Sequence, residues 1–277
     1  MRALKLSFCG ARVELKTDCA PLLAALAHLY RPFLEGEISA QATEISAEPQ
    51  ACRAWLEGEI HYFGSVGDAV YELDQLIEPR LLAHTSPQLR VHAAAVESAT
   101  HTILLVGPSG SGKTTLAMEL VRRGMRYLSD EFAIVDPRTG TLQPFPRAAT
   151  RKAEGPYPAG TRIGFLDGWG FRDYVLPDLR ADLTTRSLRS RWILFPTHRT
   201  ECVPTAEILE PGECCARFLP SIFDFEGAEQ KRWPALASLV AGSRACTLDF
   251  QDASADLDLA LELLGNDGAW TTTTQKS

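Results

Sequence analysis

The residues with the clearest chemical potential form the glycine-rich run GPSGSGKTT, which follows an apolar run, TILLV. The run meets the pattern G-x-x-x-x-G-K-[ST], and a helical pattern of apolar residues comes after it. Glycines let backbone N–H groups approach an anion, and the N-terminus of the next helix adds further N–H groups. We therefore predict a site for nucleotide phosphates at Gly107, Pro108, Ser109, Gly110, Ser111, Gly112, Lys113, Thr114 and Thr115.

Two side chains of this P-loop carry specific roles. Lys113 is expected to reach the β- and γ-phosphates, and the Thr114 hydroxyl is expected to ligate Mg²⁺. ATP and Mg²⁺ are the predicted cofactors. The pattern predicts a nucleotide but does not specify a reaction.

Further chemistry is suggested by a carboxylate pair and a histidine. Asp130 and Glu131 follow the P-loop helix by one short strand. One of them could hold Mg²⁺ or its waters, and one could accept a proton from a hydroxyl nucleophile. The alternative is a turn with two solvated acids, which we consider weaker behind a P-loop. His92 precedes the run TILLV, where a lone histidine is more often a core residue than a catalytic one.

Taken together, these residues resemble the catalytic domain of the HPr kinase/phosphorylase family, bacterial enzymes that phosphorylate a serine of a protein. The resemblance covers His92 to Val135 and includes the P-loop, the run ELVRRG at 119–124 and the acid pair. It implies a kinase that transfers the γ-phosphate of ATP to a hydroxyl. It also implies multimers, so a homo-oligomer is expected.

The resemblance assigns roles to individual residues. It implies that His92, Lys113, Asp130 and Glu131 are catalytic, and that Thr114 and Asp130 hold Mg²⁺. The family's general base is the second carboxylate of the pair, which falls on Glu131. Because the family has Asp at that position, both carboxylates stay candidates for the base.

One departure from the family limits what can be transferred. The segment E-[IV]-R-G-x-G, which follows the acid pair in the family, is absent. The HPr substrate and the reverse phosphorolysis reaction are therefore not expected. The layout is more similar to an HPr-kinase-related group with HAAAV at 92–96, LSDE at 128–131 and DPRTGTLQPFPR at 136–147. That group includes lasso-peptide tailoring kinases, which implies a serine or threonine of a precursor peptide as acceptor.

Three other functions share part of these motifs. A P-loop ATPase or nucleotide switch would use hydrolysis to drive a partner, although the LSGGQ and NKxD motifs are absent. A degenerate P-loop module would only sense ATP, which the intact lysine and acid pair disfavour. A small-molecule hydroxyl kinase would use every motif above with a different acceptor pocket.

The loop after the acid pair contributes three cations, Arg147, Arg151 and Lys152. Cations there could clamp a phosphate or position an acidic substrate. Solvated surface charges are an equally good interpretation. We predict these three residues as candidate substrate contacts.

Alternating strand and helix patterns predict an α/β fold, with a P-loop kinase core of central sheet and flanking helices preceded by a smaller α/β region. We predict an N-terminal region over 1–88, a catalytic domain over 89–265 and a disordered tail over 266–277. Loops are predicted over 144–185. The predicted strands are 4–8, 11–15, a hairpin over 52–63, 90–97, 102–106, 126–128, 131–135, 191–195, 205–210 and 245–249, and the predicted helices are 20–30, 68–83 with Asp68 as cap, 113–123 and 254–264.

Composition narrows the possible partners. A net charge of −7 over 277 residues gives no general attraction to nucleic acid or anionic lipid. The sequence has no apolar run that approaches about 18 residues, which argues against a membrane-spanning helix. The seven cysteines form no C-x-x-C pair, which favours free thiols in a reducing cytoplasm.

Overall fold

The computed structural model describes residues 1–36, 51–85, 89–98, 101–136, 141–151, 160–167, 170–177, 188–223 and 229–265. These described residues form strands and helices in the following chain order: β1 (Arg2–Phe8), β2 (Ala11–Thr17), α1 (Ala20–Leu29), β3 (Cys52–Leu56), β4 (Glu59–Phe63), α2 (Val66–Leu82), β5 (Leu89–Glu97), β6 (Thr102–Val106), α3 (Lys113–Arg122), β7 (Arg126–Ser129), β8 (Phe132–Val135), β9 (Thr141–Gln143), β10 (Ala149–Arg151), β11 (Gly160–Asp167), β12 (Gly170–Pro177), β13 (Leu188–His198), β14 (Thr205–Ile208), α4 (Pro211–Phe218), α5 (Glu229–Ala241), β15 (Arg244–Phe250) and α6 (Ala253–Gly265).

Backbone contacts divide the chain into two compact units. Unit 1 contains Met1–Gln88 and Phe145–Arg186, and unit 2 contains Leu89–Pro144 and Ser187–Ser277. The sequence predicts instead that all of 89–265 belongs to one domain. A division by backbone contacts does not show that each unit folds independently, so the domain division stays a prediction. The predicted disordered tail, 266–277, lies outside the described residues.

Unit 1 is built on a four-stranded antiparallel sheet in the order β1-β2-β3-β4. Its strands alternate between buried and exposed positions, as a sheet with one covered face requires. The β3–β4 hairpin turns at Glu57-Gly58, both with positive φ, of 51° and 90°. Two successive positive φ angles give a turn that matches strand twist, so the predicted hairpin is confirmed.

Helix α2 begins two residues before the predicted cap. Its N-cap is Ser65, whose Oγ accepts a hydrogen bond from the Asp68 N–H at 3.1 Å. The same hydroxyl donates to Asp68 Oδ2 at 2.7 Å. The prediction of Asp68 as cap is therefore wrong: the aspartate occupies the third helical position, where its carboxylate partners the capping serine.

Unit 1 also contains a three-stranded antiparallel sheet in the order β10-β12-β11. It occupies stretches predicted as loop, and that prediction is wrong for 149–151, 160–167 and 170–177. Glycine and proline there favour loops locally. Strand pairing, which depends on residues distant in sequence, overrides that local preference.

Unit 2 is built on a larger mixed sheet, whose strand order is β14-β15-β13-β6-β5-β8-β9, with β7 also paired to β5. Strand β13 lies parallel to both β6 and β15, whereas β5 is antiparallel to β6. Strand β6 is buried along its whole length, as its apolar sequence predicts. The mixed α/β fold with a central sheet and flanking helices is confirmed.

Helices α4 and α5 were not assigned from the sequence. The first is short, and the second contains Pro234, which weakens a helical pattern. Within the described part of the chain, no helix is both long and apolar enough to cross a bilayer.

Candidate functional site

Three segments of unit 2 meet at one edge of its sheet. The P-loop joins β6 to α3, and Val106 at the end of β6 lies opposite Ala93 of β5. His92 therefore lies next to the start of the loop. On its other side, the first half of β5 pairs with β8 and the second half with β7, and the acid pair occupies the junction between those two strands.

The P-loop has the backbone conformation that an anion site requires. Gly110 and Gly112 have φ angles of +83° and +96°, which L-residues rarely adopt. The loop turns through a hydrogen bond from the Ser111 N–H to the Pro108 carbonyl at 3.2 Å. The first bond within α3 runs from Leu116 N–H to the Gly112 carbonyl at 3.0 Å. The N–H groups of the first helical turn before it are thus available to phosphate oxygens.

Close packing adds a second reason for two of the glycines. A Cβ on Gly112 would lie 2.4 Å from Cζ of Phe250, and a Cβ on Gly107 would lie 2.9 Å from Oγ of Ser111. The ring of Phe250 leaves no room for a side chain at Gly112, whereas at Gly107 the Ser111 hydroxyl would have to rotate away. The loop is fixed from below by the ring of Phe250, which is 1% exposed.

The Lys113 ammonium lies within the curve of the loop. The residue is 6% exposed, and Nζ donates to the carbonyls of Gly107 and Pro108 at 2.7 and 3.0 Å. A buried cation at this point can neutralise phosphate charge in an environment where water screens it weakly. The predicted role of Lys113 fits this position.

A tight turn holds the acid pair beside His92. Ser129 Oγ donates to the Phe132 carbonyl at 2.6 Å and accepts from the Phe132 N–H at 3.2 Å, so the turn closes around both carboxylates. Glu131 Oε1 lies 3.4 Å from His92 Nε2. Asp130 is 4% exposed, whereas the Glu131 side chain is 33% exposed.

The charges of this site influence one another. Burial lowers the pKa of His92 below its usual value; Glu131 raises it, and the Lys113 ammonium lowers it further. His92 is therefore neutral at neutral pH. Because Lys113 acts on His92, the P-loop, the histidine and the acid pair form one electrostatic site.

Arg147 and Arg151, two of the cations predicted to bind substrate, belong to unit 1. Arg147 is 4% exposed and belongs to unit 1, where it forms ion pairs with Asp74 and Glu78. Its guanidinium is held by internal carboxylates, and its role as a substrate clamp stays a prediction. Arg151 is the last residue of β10, and the structure describes only its backbone. Lys152 lies outside the described residues.

Some residues at this edge carry no sequence signal. The ring of Phe223 lies 6.2 Å from that of His92 and 4.9 Å from that of Phe132. His198 and Phe250, at the ends of β13 and β15, pack against the P-loop. These aromatic residues come from segments far from the motifs, and only the paired sheet brings them together.

The oxygen donors present suit a cation that arrives with phosphate. Among the described residues, no group of three or more His, Cys, Asp and Glu side chains could hold a metal ion. Mg²⁺ commonly takes one or two protein oxygens and completes its shell with phosphates and water. The hydroxyl of Thr114 and the carboxylate of Asp130 fit that limited share.

Comparisons with known proteins support the resemblance. No protein-family model matches the chain. The chain is 37% identical over 57 residues to the HPr kinase/phosphorylase of Clostridium botulinum strain Eklund 17B, which covers 21% of this chain and 19% of the relative. The enzyme of strain Alaska E43 matches with the same identity and coverage. The matched region thus spans about a fifth of the length of these relatives, and the recognition of HPr-kinase-like sequence is confirmed over it.

A solved structure, the HPr(Ser) kinase/phosphatase from Coxiella burnetii, is also similar. It is 14% identical, and the match covers 64% of this chain and 94% of that one with a TM-score of 0.29. At so low a score the assignment of the fold rests on the sheet topology described above.

Proposed function

We propose that this chain is a kinase that uses ATP and Mg²⁺ to phosphorylate a serine or threonine hydroxyl of a peptide or protein. One observation carries the proposal: the P-loop, His92 and the acid pair converge at a single edge of the unit 2 sheet. A loop that binds phosphates next to a carboxylate that can accept a proton is the arrangement that phosphoryl transfer requires.

Each residue has a defined part in the reaction. When bound, MgATP would supply the γ-phosphoryl group, with ADP as the leaving group, and a divalent charge. Lys113 and the N–H groups at the start of α3 hold the phosphates and neutralise charge as it develops. A carboxylate oxygen of Glu131, or of Asp130, takes the proton of the acceptor hydroxyl. His92 orients Glu131 through their 3.4 Å contact.

The proposal is tested by phosphoryl transfer from γ-labelled ATP with Mg²⁺. Separate reactions contain a serine-bearing precursor peptide encoded beside the gene, the protein HPr, free serine, or water alone. Lys113→Ala should lower transfer by about 10²- to 10³-fold, the loss seen when one preorganised donor to a developing charge is removed. The matched control is Lys5→Ala, which removes an exposed lysine of unit 1.

The acceptor that carries label decides between the candidate functions. Label on a peptide or protein, lost in Lys113→Ala but kept in Lys5→Ala, supports the proposal. Label on free serine alone indicates a small-molecule kinase. Label released only as inorganic phosphate contradicts the proposal and indicates an ATPase that drives a partner. Transfer that is undiminished in Lys113→Ala rules out the P-loop mechanism.

We also propose a cytoplasmic setting. ATP is abundant there, and the seven cysteines are free thiols in the structure. Free thiols persist in a reducing compartment.

A further inference from the structure

The edge of the unit 2 sheet that carries the P-loop continues past β6 to two further strands. Strands β6, β13 and β15 are parallel neighbours, so their carboxyl ends lie along the same edge. Strand β5, with His92 and the acid pair, lies on one side of β6, and β13 lies on the other. In open α/β sheets the carboxyl ends of parallel strands are where ligands bind.

The direction of a bound nucleotide follows from this order and rests on the proposed function. The γ-phosphate must face the acid pair, which belongs to the β5 side of the P-loop. The phosphate chain then runs across the loop toward the opposite side. Its nucleoside must therefore lie over the carboxyl ends of β13 and β15.

Those two strand ends form a wall that is tied to the P-loop. The His198 N–H donates to the Ser111 carbonyl at 3.1 Å, and the Arg199 N–H donates to the Phe250 carbonyl at 2.9 Å. Cβ of His198 would lie 3.4 Å from a Cβ on Gly112, which places the histidine directly beside the loop.

The wall has a buried layer and an exposed layer. Phe250 is 1% exposed and lies under the P-loop. The ring of His198 is 5.3 Å from that of Phe250, at an interplanar angle of 59°, and His198 is exposed. An exposed imidazole supported from behind by a rigid ring has little freedom to move away from a ligand. Because His198 is exposed, its imidazole is accessible to a ligand at the strand ends.

We propose that His198 is the nucleoside contact of this site and that its imidazole stacks on the purine base of the bound nucleotide. Ring stacking is the favourable interaction of a flat base with an aromatic side chain. The hydrogen bond from the His198 N–H to the Ser111 carbonyl holds the backbone of His198 next to the P-loop. The phosphates and the base are thereby recognised by adjoining parts of one edge.

Binding measurements separate a base contact from a defect in the loop. Equilibrium binding of ATP and of inorganic tripolyphosphate, both with Mg²⁺, is measured by calorimetry without an acceptor. His198→Ala should weaken ATP binding about 5- to 100-fold, the range for loss of one base-stacking ring. Tripolyphosphate binding should stay within about twofold, because it has no base to stack. His198→Phe should retain ATP binding, since it keeps the flat ring.

The control variant for these binding measurements is a histidine far from β13 in sequence. His84→Ala, which removes an exposed histidine of unit 1, should leave both affinities unchanged. Unchanged ATP binding in His198→Ala would overturn the inference. Equal weakening of ATP and tripolyphosphate would also overturn it, because His198 would then only support the loop.

The inference and the proposed function can fail separately. A chain that binds ATP through His198 but never transfers phosphate would contradict the kinase and leave the nucleoside contact standing. A chain that transfers phosphate normally, with ATP affinity unaffected in His198→Ala, would do the reverse.

Discussion

At the scale of single residues, the two carboxylates of the acid pair differ in accessibility. Asp130 is 4% exposed, so its carboxylate is held in place and suits a ligand of fixed geometry. The Glu131 side chain is 33% exposed and contacts His92, so an acceptor hydroxyl arriving from solvent can reach it. This difference supports Glu131 as base and Asp130 as metal ligand, the assignment that the family resemblance implies.

The two roles predict different kinetic defects. Glu131→Gln should lower kcat by about 10²- to 10⁴-fold while the KM for MgATP changes little, because it removes the proton acceptor. Asp130→Asn should instead raise the Mg²⁺ concentration needed for half-maximal activity. Steady-state kinetics over a Mg²⁺ titration measures both effects. If both variants keep the wild-type turnover, neither carboxylate acts as the base.

Contiguous motifs could be found from the sequence because their function depends on neighbouring residues. Gly110 and Gly112 of the P-loop are one case, since both have the positive φ that glycine readily adopts. His198 and Phe250 could not be found in this way. Their importance comes from the strand order, which places β13 and β15 next to β6, and no local pattern encodes that order.

At the scale of elements, the junction between the P-loop and α3 depends on Gly112. It combines a φ of +96° with direct packing on Phe250. Gly124, just after α3, has a similar φ of +95° but has no atom within 4 Å of where its Cβ would be. The two glycines therefore separate conformational strain from steric overlap.

Alanine substitution at these glycines should have unequal effects. Gly124→Ala should cost about 1–2 kcal/mol of stability through strain alone and leave nucleotide binding intact. Gly112→Ala should cost more and abolish tripolyphosphate binding, because the loop must move away from Phe250. Chemical denaturation and calorimetry measure the two quantities. Similar losses of binding in both variants would show that packing on Phe250 is unimportant.

The elements that the sequence predicted well are those with an unambiguous local pattern. Strand β6 is a continuous apolar run, and α3 has apolar residues at helical spacing after a glycine that begins it. Strands β11 and β12 were missed because Gly160 and Gly170 begin them and proline surrounds them. Their stability comes from pairing with each other over eight residue pairs, which is a tertiary property.

At the scale of the whole molecule, stability depends on a charged cluster in the interior of unit 1. Arg147, Asp74 and Glu78 are each no more than 5% exposed. Arg147 Nη2 lies 3.3 Å from Asp74 Oδ2, and Arg147 Nε donates to Glu78 Oε1. Tyr30 also donates its hydroxyl hydrogen to Asp74. Loss of the arginine would leave two buried carboxylates without their cation.

Arg147→Met should therefore lower the free energy of unfolding by about 3–5 kcal/mol, the usual cost of breaking a buried ion pair from one side. The control Arg12→Met removes an arginine whose side chain is 81% exposed and pairs with Glu35, so it should cost under about 1 kcal/mol. Urea denaturation gives both values. A variant Arg147→Met that is as stable as wild type but has a raised KM for the acceptor would contradict the structural role and support the substrate role predicted from sequence.

Global stability should also depend on pH through His28, which is 8% exposed and whose Nε2 lies 3.1 Å from the Tyr174 carbonyl. Burial lowers the pKa of His28; the carbonyl contact raises it, and the charge of Arg31 lowers it, for a net decrease. In the unfolded chain the histidine pKa is about 6.5, so as the pH falls the unfolded chain binds this proton before the folded chain does.

The stability that neutral His28 contributes is fully present above about pH 6.5. It is lost as the pH falls from there through the lowered pKa of the folded state. Over that window the free energy of unfolding falls by at most about 1.4 kcal/mol per pH unit. His28→Gln keeps a donor for the Tyr174 carbonyl but cannot titrate. Its free energy of unfolding should therefore decline less than that of the wild type between about pH 7.5 and about pH 5.5, a window that brackets the usual histidine pKa. Urea midpoints across this range measure the slope, and His84→Gln, at an exposed position, should follow the wild type. Equal slopes for wild type and His28→Gln would show that the buried imidazole does not govern acid sensitivity.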